Sequence, residues 1–136
     1  MTRVCHLSSA HKGLDVRIFF KQCVTLASAG YDTHLVIAAS YNDCRSAFIK
    51  NVFLHPLPVP SGRFSRLFLQ GWRCFYVSCR LNADIYHFHD LELAPYGVLL
   101  SLIGKKVIYD VHEDVPQDIL TKDWIAPHFR RTTSFI

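Results

Sequence analysis

Three polar segments of the sequence could carry out chemistry on a small hydroxylated ligand. They are Ser8 to Asp15, which includes Ser9 and His11, then His89-Asp90 with Glu92, and finally His112-Glu113-Asp114. A neutral imidazole both donates and accepts hydrogen bonds, and carboxylates accept them, so this combination suits the recognition of hydroxyl groups. Asp15 and His89-Asp90 have a simpler interpretation as caps of the helices that follow them.

The same residue types are ligands for zinc or manganese, so a metal-dependent hydrolase is the rival interpretation. The candidate ligands are His87, His89, Asp90, His112, Glu113 and Asp114. Their spacing does not favour a metal site, because neighbours on a strand point to alternate sides and no H-x-x-x-H helix pair is present. We therefore expect no metal and no cofactor, and we interpret His87, inside a predicted strand, as a packed core histidine.

Motifs of other common enzyme classes are missing from the sequence. The first predicted strand is followed by SSAHKGLD, whose single glycine does not match the G-x-G-x-x-G of NAD and FAD enzymes. There is no P-loop or nucleophile elbow, and the five cysteines form no C-x-x-C pair. A net charge of +4 on 136 residues is too mild to indicate nucleic-acid binding, but it is compatible with an anionic small molecule or membrane surface.

Alternating strands and helices are predicted to position the three polar segments. The strands are expected at 3–7, 33–39, 52–57, 85–88 and 107–110, and the helices between Asp15 and Gly30, at 62–82 and at 91–103. The segment 40–50 is expected to be turn or loop. This alternation predicts an α/β fold, a three-layer Rossmann-like open parallel sheet of order 3-2-1-4-5. Ligands of such sheets bind at the carboxyl ends of the strands, where the three segments should meet.

The second predicted helix carries two stripes of side chains. Phe64, Phe68, Trp72, Phe75 and Cys79 fall on one face at helical spacing. Arg66, Arg73 and Arg80 recur every seven residues and oppose this aromatic stripe. The simplest interpretation of the arginines is a solvated face, and the alternative is a surface that docks on anionic lipid.

Two long stretches of the sequence resemble the N-terminal domain of glycosyltransferase family 4. They are HLSSAHKGLDVRIFFKQCVTLASAGYDTHLVIA and ADIYHFHDLELAPYGVLLSLIGKKVIYDVHEDVPQDIL. The most specific pieces are His11 with Asp15-x-Arg17-Ile18-Phe19, Gly30-Tyr31, His87-Phe88-His89-Asp90, and Tyr109-Asp110-x-His112-Glu113-Asp114. The resemblance extends over residues 1–120, and one departure is Gln22, where many relatives carry a glutamate.

The resemblance implies the N-terminal half of a two-domain GT-B enzyme that transfers a sugar with retained configuration and without a metal. Residues 1–120 would be the acceptor-side domain, and 121–136 the start of an inter-domain or truncated segment. The donor-binding domain, with its paired glutamates, would be supplied in cis or in trans. His112 is implied as the catalytic residue beside the donor sugar. The implied substrate-binding residues are Ser9, His11, Asp15, Arg17, His89, Asp90 and Glu113.

The partners implied are a UDP- or GDP-sugar, held mainly by the other domain, and a sugar or lipid-linked glycan acceptor of cell-surface polysaccharide biosynthesis. A cytoplasmic location is expected, since the N-terminus lacks the apolar core of a signal peptide and 93–104 is too short to span a bilayer. A peripheral membrane position would fit the arginine stripe, and no nucleic acid is expected. The alternative function is a non-catalytic binding module, or a truncated product, that retains the acceptor-side fold.

Overall fold

The protein is an α/β domain built on a six-stranded, mostly parallel sheet. The computed structural model describes residues 1–12, 14–38, 48–59, 62 and 64–110, and the side chains of all these except 10–12, 66 and 67. The strands are β1 (Arg3–Lys12), β2 (Asp32–Ala38), β3 (Phe48–Ile49), β4 (Val52–Leu57), β5 (Ile85–Phe88) and β6 (Lys106–Tyr109). Their order is β3-β4-β2-β1-β5-β6, and every neighbouring pair is parallel except β3 with β4.

This order differs from the predicted five-stranded order 3-2-1-4-5 because of β3. That strand lies in the segment expected to be turn or loop, and it pairs antiparallel with β4 at the sheet edge. Lys50 and Asn51 join the two strands with φ of 50° and 61°. Positive φ at both central residues is the geometry of a type I′ hairpin turn. A two-residue strand is too short to produce a periodic signal, so the sequence pattern did not reveal it.

Strand β1 is longer than predicted and takes up most of the expected polar loop. It continues to Lys12, and its register against β2 shifts between Ser8 and Lys12. Ser8 lies opposite Ile37, whereas Lys12 lies opposite the next residue, Ala38. The intervening residues therefore form a bulge, a feature common next to functional sites.

The first helix, α1, begins at a side-chain cap and ends at a glycine, as predicted. It consists of wide π-helical turns over Val16–Cys23, followed by α-helical turns over Val24–Ser28. Asp15 Oδ1 accepts hydrogen bonds from the backbone N–H groups of Arg17 (2.8 Å) and Ile18 (3.0 Å). After the helix, Gly30 adopts φ of 90°, a conformation that glycine reaches without strain.

Helices cover both faces of the sheet, so there are two apolar clusters. On one face α1 packs Ile18, Phe19 and Cys23 against residues of β2 and β4. On the other face lie α2, which comprises Ser65–Gln70 and Gly71–Leu81, and α3, which comprises a 3₁₀ turn at Leu91–Leu93 and Ala94–Leu102. They pack on a cluster that includes Cys5, Tyr86 and Leu100. This double coverage explains why the strands are apolar on both sides.

Helix α2 leaves most of its aromatic stripe exposed. Its buried residues are Gln70, Gly71, Cys74 and Ser78, which recur at helical spacing on a different face. Of the stripe, Phe64, Phe68 and Trp72 are 79%, 54% and 56% exposed and Cys79 is also exposed, whereas Phe75 is partly buried against the core cluster. Cys74 packs in the apolar cluster on this face of the sheet and Gly71 lies against Tyr96 of α3, so these long-range contacts, and not the aromatic pattern, set the buried face of the helix. No helix in the described part of the chain is long and apolar enough to cross a membrane.

Candidate functional site

The loop after β5 is fixed to the end of β1 by one buried carboxylate. Asp90 Oδ2 accepts hydrogen bonds from the backbone N–H of Ser9 (2.6 Å) and from the hydroxyl of Ser8 (3.1 Å). The Ser9 hydroxyl lies 3.4 Å from Asp90 Oδ2 and 3.4 Å from Glu92 Oε2. Two of the three polar segments therefore meet at the carboxyl ends of neighbouring parallel strands, as the sequence predicted. Asp90 has no side-chain capping bond to α3, which argues against the simple helix-cap interpretation.

A second carboxylate, Asp110, connects the end of β6 to helix α1 and to the loop after β5. Its Oδ2 atom accepts hydrogen bonds from Arg17 Nη1 (3.1 Å), Gln22 Nε2 (3.2 Å) and His89 Nδ1 (3.1 Å). Burial alone would raise the pKa of Asp110, but the hydrogen bond from Gln22 and the charge of Arg17 together hold it below the usual value. Asp110 is therefore a fixed negative charge in the centre of this polar network.

Three histidines lie on the α1 face of the sheet beside this network. His6 Nδ1 and His89 Nε2 are 3.1 Å apart, and the ring of His87 lies 4.7 Å from that of His6 and 4.5 Å from that of His89, centroid to centroid. Burial, and then the neighbouring His87, lowers the pKa of His6 to about 3 and that of His89 to about 4. Burial also lowers the pKa of His87. All three rings are therefore neutral at pH 7.

A cavity of about 440 Å³ opens on the same face between α1 and strands β1, β5 and β6. Its polar lining includes His6, His87 and Gln22, and its apolar lining includes Ile85 and Ile108. Within the described residues, five buried side-chain atoms have no hydrogen-bond partner. Three of them, His6 Nε2, Arg17 Nη2 and Gln22 Oε1, belong to the residues around Asp110. Buried polar atoms of this kind are expected to bind a ligand or ordered water.

The substrate-binding residues implied by the resemblance have different positions in the structure. Ser9, Arg17, His89 and Asp90 all belong to the networks at the carboxyl ends of β1, β5 and β6. Asp15 instead caps α1 with one of its carboxylate oxygens. His11 lies in β1, but its side chain is among those not described. The catalytic candidate His112 and its neighbour Glu113 lie outside the described residues.

His6, Gln22 and Asp110 are site residues to which the sequence analysis gave no role in the site. His6 looked like an ordinary strand residue, yet it lies opposite His87 in the parallel register of β1 with β5. Because alternate residues of a strand point to the same side, the pairs His6-Ser8 and His87-His89 could have indicated one polar patch on adjacent strands.

Comparisons with protein-family models, with curated proteins and with solved structures give no match to this chain.

Proposed function

We propose that this chain is the acceptor-side domain of a retaining, family 4-like glycosyltransferase of the GT-B type. The observation that carries the proposal is the network around Asp110, at the carboxyl end of β6, to which helix α1 contributes two buried atoms without a partner among the described residues, the donor Arg17 Nη2 and the acceptor Gln22 Oε1. A sugar hydroxyl group supplies both an acceptor and a donor, so a carbohydrate would satisfy both atoms. Ser9, Asp90 and Glu92 extend the polar surface along the neighbouring strand ends.

In this proposal the acceptor binds along the ends of β1, β5 and β6, and His112 approaches the donor sugar from the segment that follows Asp110. Asp90 acts as a positioning residue, because it holds the end of β1 against the loop after β5. The nucleotide-sugar is bound mainly by a second domain, in cis or in trans. Residues 121–136 would begin the connection to it.

The exposed face of α2 supports the proposal that the protein binds an anionic membrane surface. There it would meet a lipid-linked acceptor. Residues 44–83 contain six Lys or Arg residues and no Asp or Glu, whereas the whole chain has a net charge of only +4. The guanidinium carbon of Arg80 lies 5.9 Å from the ring centroid of Tyr76, and both residues are exposed. Aromatic side chains beside basic ones are typical of helices that lie in the membrane interface. We place the protein in the cytoplasm, peripheral at the inner face of the membrane.

Calorimetry with soluble ligands tests the acceptor assignment. We expect this chain to bind methyl glycosides more tightly than UDP- or GDP-sugars, because the donor pocket resides in the other domain. Arg17→Met should weaken the glycoside affinity about 10- to 100-fold, since a hydrogen bond from a charged group contributes about 1.5–3 kcal/mol. Arg73→Met, which removes the same charge from α2, is the matched control and should leave the affinity unchanged. Micromolar binding of a nucleotide-sugar, or equal effects of the two substitutions, would contradict the assignment.

A further inference from the structure

The three clustered histidines have the composition and approximate geometry of a transition-metal site. One ligand nitrogen from each of His6, His87 and His89 lies within 4.8 Å of the other two. In a tetrahedral site with Zn–N distances of about 2.05 Å, two ligand nitrogens are separated by about 3.3 Å. The 3.1 Å between His6 Nδ1 and His89 Nε2 is already close to this value. The half-buried His87 ring has to move closer, and the His6 and His89 rings have to turn so that both lone pairs point at the ion.

The hydrogen bonds around the cluster determine which nitrogens carry protons. The Asp110 carboxylate, 3.1 Å from His89 Nδ1, holds the His89 proton on that atom, so His89 Nε2 presents a lone pair to His6 Nδ1. His6 then carries its proton on Nδ1, and its buried Nε2 has neither a proton nor a partner among the described residues. A metal ion bound by His6 Nδ1 and His89 Nε2 displaces the proton of the hydrogen bond between these two atoms. That proton moves to His6 Nε2, so both rings stay neutral.

The surroundings of the cluster meet two further requirements of a metal site. A ligating histidine usually donates its other N–H to a carboxylate, which fixes the ring orientation, and Asp110 has this role for His89. An entry path is also needed, and His6 and His87 both line the 440 Å³ cavity. An ion bound by three imidazoles keeps a coordination position for water or a small ligand from that cavity.

We propose that His6, His87 and His89 bind a divalent transition-metal ion of the zinc class, with Asp110 as the carboxylate that orients His89. Three neutral imidazoles suit zinc, copper, nickel or iron better than magnesium or calcium. This site differs from the candidate ligands in the sequence analysis because it includes His6. It also leaves out Asp90, whose carboxylate accepts hydrogen bonds from Ser8 and Ser9. It does not depend on the proposed glycosyltransferase function.

Titration with Co²⁺, followed by its visible absorption and by competition with Zn²⁺, tests this site. The experiment uses the 136-residue chain with Cys44→Ser and Cys79→Ser, because cysteine is itself a good ligand for these ions. We expect one ion per chain with the spectrum of nitrogen ligands. His87→Gln should weaken binding at least about 10-fold, and Asp110→Asn should weaken it by about 10-fold or more through the lost orientation of His89.

A second histidine pair in the same sheet provides the matched control. His34 Nδ1 lies 2.9 Å from His55 Nε2, and Asp32 Oδ1 lies 3.1 Å from His34 Nε2, but no third histidine joins this pair within the described residues. His55→Gln should therefore leave Co²⁺ affinity unchanged. Failure of the parent chain to bind Co²⁺ at a concentration of 1 mM would overturn the proposal. So would equal affinity of the parent and His87→Gln chains, with circular dichroism confirming that both are folded.

Discussion

The double substitution Phe68→Ser and Trp72→Ser on helix α2 is expected to weaken binding to anionic phospholipid vesicles about 100-fold. Both side chains are more than half exposed, so the substitutions remove apolar surface without opening the core. Burying one large apolar side chain completely contributes about 1.5–3 kcal/mol, so the loss of two accounts for a factor of at least about 100. Co-sedimentation with vesicles containing phosphatidylglycerol measures the partition coefficient directly.

The control for this experiment is Val16→Ser, which removes an apolar side chain that is 63% exposed on a different helix. It should leave vesicle binding unchanged. Arg73→Glu with Arg80→Glu should also reduce binding, most strongly at low salt, because basic residues near an anionic surface contribute about 1 kcal/mol each. Binding that survives the loss of Phe68 and Trp72 would exclude α2 as the membrane surface.

Replacing Tyr86 with phenylalanine should lower the free energy of unfolding by about 3 kcal/mol. The Tyr86 hydroxyl accepts a hydrogen bond from the backbone N–H of Ala83 (2.8 Å) and donates one to the carbonyl of Ser78 (2.7 Å). All three residues are fully buried, so no water replaces the lost partner. The buried Ala83 N–H would remain unsatisfied, and the Ser78 carbonyl would keep only the hydrogen bond from the backbone N–H of Asn82 (3.1 Å). Both groups lie at the junction of α2 with β5, the strand that leads to His89 and Asp90. Urea denaturation measures the change.

The same substitution at Tyr96 is the control for Tyr86→Phe. The Tyr96 hydroxyl also donates to a backbone carbonyl, that of Phe68 at 3.1 Å, but this hydrogen bond is exposed. Water can replace it, so Tyr96→Phe should cost about 0.5 kcal/mol. Equal losses for the two variants would mean that burial at Tyr86 does not determine the effect.

The sequence predicted most of the elements that position the site, because their signals are local. The capping aspartate, the left-handed Gly30 and the apolar runs of the parallel strands each depend on neighbours in the sequence. The convergence of Ser9, His89 and Asp90 followed from the rule for strand ends in parallel sheets. Their contacts with one another were therefore foreseeable, although the individual hydrogen bonds were not.

The remaining features depend on contacts between distant parts of the chain. The sequence showed an aromatic stripe on α2, but it did not reveal that Gly71, Cys74 and Ser78 are the residues that this helix buries. The His6 cluster needed the register of β1 against β5, which periodicity alone does not provide. The roles expected for His112 and Glu113 stay predictions, because both residues lie outside the described part of the chain.

The most direct test of the acceptor-site proposal is amide chemical-shift mapping by NMR during titration with methyl glycosides. We expect the largest shifts at Ser9, Arg17 and Glu92, around the carboxyl ends of β1, β5 and β6. The amides of Asp32 and Asp84, at the opposite end of the sheet, should stay unchanged. Shifts confined to that opposite end, or no saturable shift with any glycoside, would contradict the acceptor-side assignment.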